Sequence, residues 1–100
     1  MFKAIILLTR REDMTREAFA DWWLHAHGPM ARQLPGLRKL VFNLVGSDAG
    51  VDGVSELWFD DQAAFEAAYA SDIGRQVAAD SMAHVARRER LLVAEHLQLG

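Results

Sequence analysis

A chain of 100 residues is the length of one domain, and its composition, 51% hydrophobic and 25% charged, is that of an ordinary globular protein. The formal net charge of -3 argues against a nucleic-acid partner, because nucleic-acid affinity depends on many Lys and Arg contacts to phosphates. The chain has no cysteine, which excludes disulfides, thiol nucleophiles and zinc knuckles and suits a reducing compartment.

The first apolar run, residues 4–8, is shorter than the ~20 residues that a membrane-spanning helix needs. Charged residues follow it at once, where a signal peptide would have small residues and a cleavage site. We therefore expect no membrane association and a cytoplasmic location.

Residues 2–9 have the apolar content of a β-strand. Ile6 and Leu8 fall on one face of that strand, and Ile5 and Leu7 fall on the other. A strand with one face in solvent would alternate apolar and polar residues. Both faces of this strand are therefore predicted to be buried.

A long helix is predicted after a polar connector at residues 10–14. Thr15 supplies an N-cap hydroxyl, and Glu17 lies in the first turn, where a carboxylate complements the helix dipole. Apolar residues recur at the spacing of one helical face: Phe19, Trp22, Trp23, Ala26, Met30 and Leu34. Pro35 and Gly36 end the helix.

A β-hairpin is predicted in the middle of the chain. Residues 37–46 alternate as a strand, and residues 54–59 form the next one. The segment between them, residues 47–53, carries two Asp and two Gly, which is typical of a turn.

Two helical stretches follow the hairpin. The acidic pair at residues 60–61 caps a helix at about residues 62–70, and either Ser71 or Asp72 caps a further helix that runs through Met82. Both stretches place apolar side chains on one face and are predicted to pack on the sheet.

A last strand is predicted at about residues 90–97, and the charged run at residues 87–90 is interpreted as a solvated connector. The order βαββαβ is the ferredoxin-like arrangement of the α+β class, a four-stranded antiparallel sheet with its helices on one face. Residues 1–100 form one such domain. Because the other face also carries apolar residues, we predict a homodimer in which two sheets pack face to face and close a barrel-like core.

His25 and His27 are the first candidates for chemistry. Residues two apart on a helix face opposite sides, so the pair is not expected to share a metal ion. His27 lies four residues after Trp23 on the apolar face, and Pro29 disturbs the turn to which it belongs. A half-buried imidazole beside such an irregularity suits a pocket and proton transfer near neutral pH. The alternative is a core histidine with satisfied hydrogen bonds.

Two further pairs of polar residues stand out. Asn43 and Glu56 lie in otherwise apolar strands, so Asn43 either serves the hydrogen bonding of the fold or faces a ligand, while Glu56 is assigned a structural or interface role. Asp80 and His84 are four apart on a helix and predict a carboxylate–imidazole pair, most simply at the surface.

Trp22, Trp23 and Trp58 are aromatic residues of the predicted interior, and Tyr69 lies on the inner side of the second predicted helix. Core packing explains them, since aromatic side chains dominate cores generally, but they also suit the lining of a cavity for an aromatic ligand. No phosphate-binding, dinucleotide-binding, nucleophile-elbow or zinc-protease motif occurs in the chain.

Two stretches of the chain carry a recognisable combination of motifs. The first reads M-T-x3-F-x3-W-x3-H-x-P over residues 14–29 and is followed by L-P-G-L at residues 34–37. The second reads D-G-V-S-E-L-W-F-D over residues 52–60. Three residues then follow in the expected order: Ser71, Gly74 and Asp80. Through most of its length the sequence thus resembles the EthD family of dimeric α+β barrel proteins.

The resemblance implies a ferredoxin-like protomer, a homodimer, and a pocket between helix and sheet in each protomer. His27 falls at the family's helix histidine, which lines the active site in lactone-isomerising relatives. The sequence departs from the family at His84, where an aromatic residue is more usual. His84 therefore either replaces a packing ring or adds a catalytic group.

Together these features predict an enzyme without a cofactor that moves a proton in a small cyclic or aromatic compound, by isomerisation, cyclisation or a related step. His27 is the predicted catalytic residue. The predicted ligand-binding residues are Trp23, Asn43, Trp58, Tyr69, Asp80 and His84. Two alternatives stay open: a non-catalytic metabolite-binding or accessory protein of a degradation pathway, and a cofactor-free or haem-dependent monooxygenase, since related barrels bind haem through histidine.

Overall fold

The computed structural model describes residues 1–100, in which a sheet carries helices on one of its faces. The elements follow in the order β1 (Phe2–Arg10), α1 (Arg16–Trp22), a π-helical turn (Trp23–His27), α2 (Gly28–Ala31), β2 (Lys39–Leu44), β3 (Gly53–Phe59), α3 (Gln62–Ala70), α4 (Asp72–His84) and β4 (Val85–Ala94). The strands lie in the order β2-β3-β1-β4, and each neighbouring pair is antiparallel. This confirms the predicted α+β, ferredoxin-like fold.

The core lies between the sheet and the helices. Alternate residues of β1 and β3 point to the helices and are buried, among them Ile6, Leu8 and Phe59. The helices bury an aromatic-rich set against them: Phe19, Trp22, Trp23, Ala31, Phe65, Ala68 and Val77. The predicted N-caps are confirmed, since three side chains accept a hydrogen bond from a backbone N–H three residues further on, at 2.8 to 3.1 Å: Thr15, Asp61 and Ser71.

The first helix is not the single regular run that its periodicity predicts. A regular helix would bring the ring of Pro29 against the carbonyl of His25, and proline has no N–H to offer that carbonyl. The chain widens instead into the π-helical turn, in which the N–H of Gly28 donates to the carbonyl of Trp23, five residues earlier. Regular α-helix then ends at Ala31.

This wider turn shifts the buried face of the helix by one residue. His27 and Ala31 are buried, whereas Ala26, which the α-helical period places on the apolar face, is exposed. Met30 is only partly buried. The π-helical turn therefore brings His27 fully onto the sheet side of the helix.

The prediction for the last strand is wrong at its start. β4 begins at Val85, directly after α4, and the charged run at residues 87–90 belongs to the strand rather than to a connector. In the sheet Arg88 lies opposite Leu8 and Arg90 lies opposite Ile6. By pairing with β1, β4 supplies hydrogen-bond partners to the backbone groups along this edge. Because β4 is itself an edge strand, its charged side chains discourage pairing with further chains.

The face of the sheet away from the helices, here called the open sheet face, carries apolar side chains with little cover. Its apolar residues are Ile5, Leu7, Val41, Val54, Leu91 and Val93. Leu91 is 46% exposed. An ion pair between Lys3 Nζ and Glu56 Oε1, at 2.7 Å, crosses the same face.

No helix in the structure is long and apolar enough to cross a membrane.

Candidate active site

A buried histidine and a carboxylate meet where the π-helical turn packs against α4. His27 is 5% exposed, and its Nδ1 lies 2.8 Å from Oδ2 of Asp80, whose side chain is 20% exposed. The same carboxylate oxygen accepts a hydrogen bond from Trp22 Nε1 at 3.2 Å. Because a carboxylate only accepts, the proton of a neutral His27 sits on Nδ1, and Nε2 carries the lone pair, with the Ser81 hydroxyl 3.4 Å away.

The surroundings of His27 keep its imidazole neutral. Burial lowers the pKa of His27 below its ordinary value, and the hydrogen bond and charge of Asp80 raise it back in part. The positive charge of Arg88 adds a smaller lowering effect. The result is an oriented imidazole whose Nε2 is unprotonated near neutral pH, which is the state required of a general base.

Asp80→Asn is expected to lower the pKa of His27 further, because it removes the charge that favours the imidazolium. Histidine ring resonances followed by NMR across a pH titration measure this directly, with the His27 signals identified by their loss in His27→Gln. The matched control is Asp72→Asn, at an exposed carboxylate on the same helix that pairs with Arg75. An unchanged or raised pKa of His27 in Asp80→Asn would contradict the assignment.

The Nε2 side of His27 faces a small cavity between the helices and the sheet. Its volume is about 10 Å³, room for a single water molecule. Its polar and aromatic lining includes His27, Trp23, Phe42, Ser55, Tyr69 and Ser81. The Ser81 hydroxyl lies 3.4 Å from His27 Nε2. The cavity thus has the predicted place, between helix and sheet, but in this conformation it is too small for a cyclic organic molecule.

A larger groove of about 500 Å³ opens next to this cavity along α2 and β2. Leu40 and Phe42 line both spaces, so their side chains separate the groove from His27. Phe42 stacks on Trp23 with ring centroids 4.2 Å apart, and its ring lies 6.2 Å from that of His27. A rotation of the Phe42 side chain would therefore join the two spaces.

His84 and Trp22 close the outer side of the site. The His84 ring stacks on Trp22 with centroids 4.6 Å apart, and its Nδ1 lies 2.8 Å from the backbone carbonyl of Asp80 and 3.4 Å from the Asp80 carboxylate. The predicted pair of Asp80 and His84 therefore exists, but it is partly buried against Trp22 rather than free at the surface. His84 does not line the cavity and takes the position of a packing ring.

Tyr69 lines the cavity from α3, as expected. Burial raises the pKa of its phenol, with the positive charges of Arg88 and Arg90 opposing that shift. The phenol is therefore protonated at neutral pH and available as a hydrogen-bond donor.

Asn43 and Trp58 do not belong to this site, and their predicted placement beside His27 is wrong. Both lie on the open sheet face. Asn43 Nδ2 donates to the carbonyl of Val54 at 2.9 Å and to Glu56 Oε2 at 3.1 Å, which is the structural role left open above. Trp58 Nε1 donates to Glu95 Oε1 at 3.1 Å.

Lys3 holds Glu56 in place on that face. A hydrogen bond from Lys3 lowers the pKa of Glu56, and a hydrogen bond from Asn43 adds to the effect. Two ammonium groups, those of Lys3 and Lys39, lie 4.6 and 4.7 Å from the centroid of the Trp58 ring. Trp58 and Glu56 thus form part of a polar network on the open sheet face.

The sequence pattern does not identify Ser81 or Phe42 as members of the site, and it predicts Trp22 only as an aromatic residue of the interior or a cavity lining, not as a hydrogen-bond donor to Asp80. No motif identifies Ser81, because its contact with His27 depends on how α4 is rotated about its axis relative to the π-helical turn. The position of Phe42 opposite Ser55 of β3 became clear only from the strand register.

A haem does not fit beside His27. The hydrogen bond of Nδ1 to Asp80 leaves Nε2 as the nitrogen that could bind iron, but the space in front of Nε2 is about 10 Å³, far smaller than a porphyrin.

The fold has counterparts among solved structures. An EthD family protein from Bacillus halodurans is 26% identical, with a TM-score of 0.85 over 96% of this chain and 99% of that chain. A dimeric ferredoxin-like protein from Thermobifida fusca is 17% identical, with a TM-score of 0.77 over 94% and 90%. SnoaB, a cofactor-independent oxygenase from Streptomyces nogalater, is 18% identical, with a TM-score of 0.72 over 98% and 95%.

A comparison with curated proteins gave no match. The EthD domain model, in contrast, matches residues 11–88, a region that contains the π-helical turn, His27, Asp80, the whole of β2 and β3 and the start of β4. Since this match covers well over half of the sequence, the chain belongs to the EthD domain family.

Proposed function

We propose that the protein is a small-molecule enzyme that needs no cofactor and transfers a proton in a cyclic or aromatic substrate. The observation that carries this proposal is the buried pair of His27 and Asp80, in which the carboxylate orients the imidazole and leaves Nε2 toward the cavity. His27 is the proton-transferring residue, and Asp80 is its positioning residue.

The chemistry follows from one deprotonation. His27 Nε2 takes an acidic C–H proton from the substrate, and the electron pair that remains moves into an adjacent carbonyl. Return of the proton at another carbon gives an isomer, and attack of the carbanion on a carbonyl of the same molecule closes a ring. Oxygenation without a cofactor, the activity in the name of SnoaB, can begin with the same step.

A substrate reaches His27 by widening the cavity. The side chains of Leu40 and Phe42 separate the cavity from the outer groove. Both are only partly buried, which leaves them room to move aside. The groove is also lined by Arg32, whose positive charge attracts acidic groups, whereas the neighbouring Arg38 is paired with Asp60.

The test combines binding with isotope exchange. A thermal-shift screen of lactones, phenols and polyketide-like acids finds compounds that bind the folded protein, because such ligands raise its melting temperature. Each compound found is then incubated with the protein in deuterium oxide and recovered for mass spectrometry. Protein-dependent deuterium uptake supports the proposal. Binding without uptake or product supports the alternative of a metabolite-binding accessory protein.

We also propose that two copies associate through their open sheet faces. The supporting observations are the apolar side chains that this face leaves half-exposed, and the likeness in fold to ferredoxin-like proteins described as dimeric. Both active sites then lie on the outer, helix side of the assembly, one in each protomer.

Leu91→Asp is expected to convert such a dimer to a monomer, because it places an unpaired carboxylate in the middle of the apolar interface. Light scattering coupled to size-exclusion chromatography measures the mass. The control is Leu97→Asp, at a residue 80% exposed beyond the end of β4, which should leave the mass of the assembly unchanged. A monomeric wild-type protein, or a dimeric Leu91→Asp variant, would refute the proposed interface.

A further inference from the structure

Arg88 lies on the helix-facing side of β4 and is the least satisfied polar side chain of the protein. Its guanidinium carbon lies 5.9 Å from the centroid of the Tyr69 ring, and its backbone is opposite Leu8 of β1. The Nε of Arg88 is buried and has no hydrogen-bond partner. Buried polar groups are nearly always paired in folded proteins, so this nitrogen calls for an explanation.

No carboxylate neutralises this guanidinium. The charged and polar groups that act on it are Tyr69 and Arg90, and Tyr69 is protonated at neutral pH. The guanidinium of Arg90 also lies over an aromatic ring, with its central carbon 4.9 Å from the centroid of Phe65. The neighbouring Arg87, on the other side of the strand, is paired with Glu89.

The Arg88 guanidinium is partly buried, and its surroundings meet its hydrogen-bonding capacity only in part. Burial lowers the pKa of Arg88, and its interaction with Tyr69 raises it back in part. Arginine is always charged in proteins, and a buried donor without a hydrogen-bond partner is costly. An anion that accepts from Nε and from the rest of the planar guanidinium would satisfy the site.

The guanidinium is also close to the proposed catalytic centre. Tyr69, the residue beside it, lines the same cavity as His27. The positive charge of Arg88 contributes to lowering the pKa of the His27 imidazole. A molecule that binds at Arg88 and extends past Tyr69 would therefore bring its next few atoms to His27.

We propose that Arg88, together with the Tyr69 hydroxyl, binds an oxyanion of the substrate, which makes the substrate class small cyclic or aromatic organic acids. This inference rests on the proposed function, since it names the kind of molecule on which His27 acts. The carboxylate accepts hydrogen bonds from the guanidinium and the phenol, and the apolar ring of the acid enters the cavity. The remaining acidic C–H of that ring or its substituent faces His27 Nε2.

Benzoate and benzamide are the probes, because they share shape and differ in charge. Titration of each into the isotope-labelled protein is followed by NMR through the Nε–H resonance of Arg88 and the ring signals of His27. We expect benzoate to bind at least roughly tenfold more tightly than benzamide, because hydrogen bonds from a guanidinium to a carboxylate are stronger than those to a neutral amide. Equal binding of the two, or no binding of benzoate, would overturn the proposal. So would inorganic phosphate binding as tightly as benzoate, since that indicates a general anion site.

Two variants locate the site. Arg88→Met keeps the apolar stem over Tyr69 and removes the guanidinium, and we expect it to lose the preference for benzoate. Its melting temperature should be equal to that of the wild type or higher, because a buried group without a partner is removed. Arg87→Met, at the paired arginine on the other face, should keep the preference. Benzoate preference retained in Arg88→Met, or a marked loss of stability in that variant, would show that Arg88 serves the fold instead.

The outcome is separable from that of the proposed function. If deuterium exchange is independent of His27 while Arg88→Met still abolishes the preference for benzoate, only the proton-transfer proposal falls. If exchange depends on His27 while Arg88→Met binds benzoate like the wild type, only the oxyanion site falls.

Discussion

Replacing His27 by Gln is expected to slow deuterium exchange into the bound compound by roughly 10²–10⁴-fold, the usual contribution of a positioned general base. Gln is close to His in size and can still donate to Asp80, so the packing around the site is preserved. It has no nitrogen lone pair that can take a proton near neutral pH. The loss should appear in the exchange rate and much less in the affinity, because His27 acts on a proton that moves only during the reaction.

The matched control for this variant is His25→Gln. His25 is exposed on the opposite side of the same turn, so its replacement tests the general effect of losing an imidazole from this helix. We expect wild-type exchange in that variant. Equal melting temperatures would show that both variants are folded. Undiminished exchange in His27→Gln would remove His27 from the mechanism.

Replacing Gly74 by Ala is expected to destabilise the fold by about 3 kcal/mol or more, at or above the upper end of the usual cost of overpacking. A Cβ at this position would lie 2.0 Å from the Ala68 carbonyl oxygen and 2.6 Å from the Tyr69 Cα. Both are backbone atoms, so no side-chain rotation can relieve the clash. The first turn of α4 would have to move away from the end of α3, and Asp80 and Ser81 would move with it.

Chemical denaturation followed by circular dichroism measures this loss of stability. The control is Gly46→Ala, because a Cβ at Gly46 would meet no atom within 4 Å. Its free energy of unfolding should differ from that of the wild type by no more than about 0.5 to 1 kcal/mol, the range of a compatible Gly-to-Ala change. If the two variants were equally stable, the close approach of α3 and α4 at Gly74 would not be a requirement of the fold.

The fold was largely predictable because its elements follow local rules. Caps at Thr15, Asp61 and Ser71, apolar periodicity and a turn rich in Asp and Gly are all readable from nearby residues. The start of β4 was not predictable in this way. Arg88 and Arg90 read as solvent-exposed charges, and only the unpaired edge of β1 shows why they form a strand. Pairing of this kind depends on residues about 80 positions apart.

The site was predictable in part, for a related reason. His27 stood out by its place on an apolar helical face, and Asp80 by its spacing from His84. The partnership of His27 with Asp80 depends on how two helices lie on the sheet, which no local pattern encodes. Asn43 and Trp58 were placed on the wrong face because their strands are apolar at both parities, so alternation alone does not tell which face meets the helices.

The π-helical turn divides the first helix into two segments that differ in their rotation about the helix axis. The turn holds one residue more than regular winding allows, so the rotation of α2 about the axis is offset from that of α1. Phe19 of α1 packs on Trp22 and Trp23, and Trp22 donates to the carboxylate that orients the imidazole. The aromatic core of α1 therefore also supports the reactive nitrogen, so that a change in its packing is transmitted to the direction of Nε2.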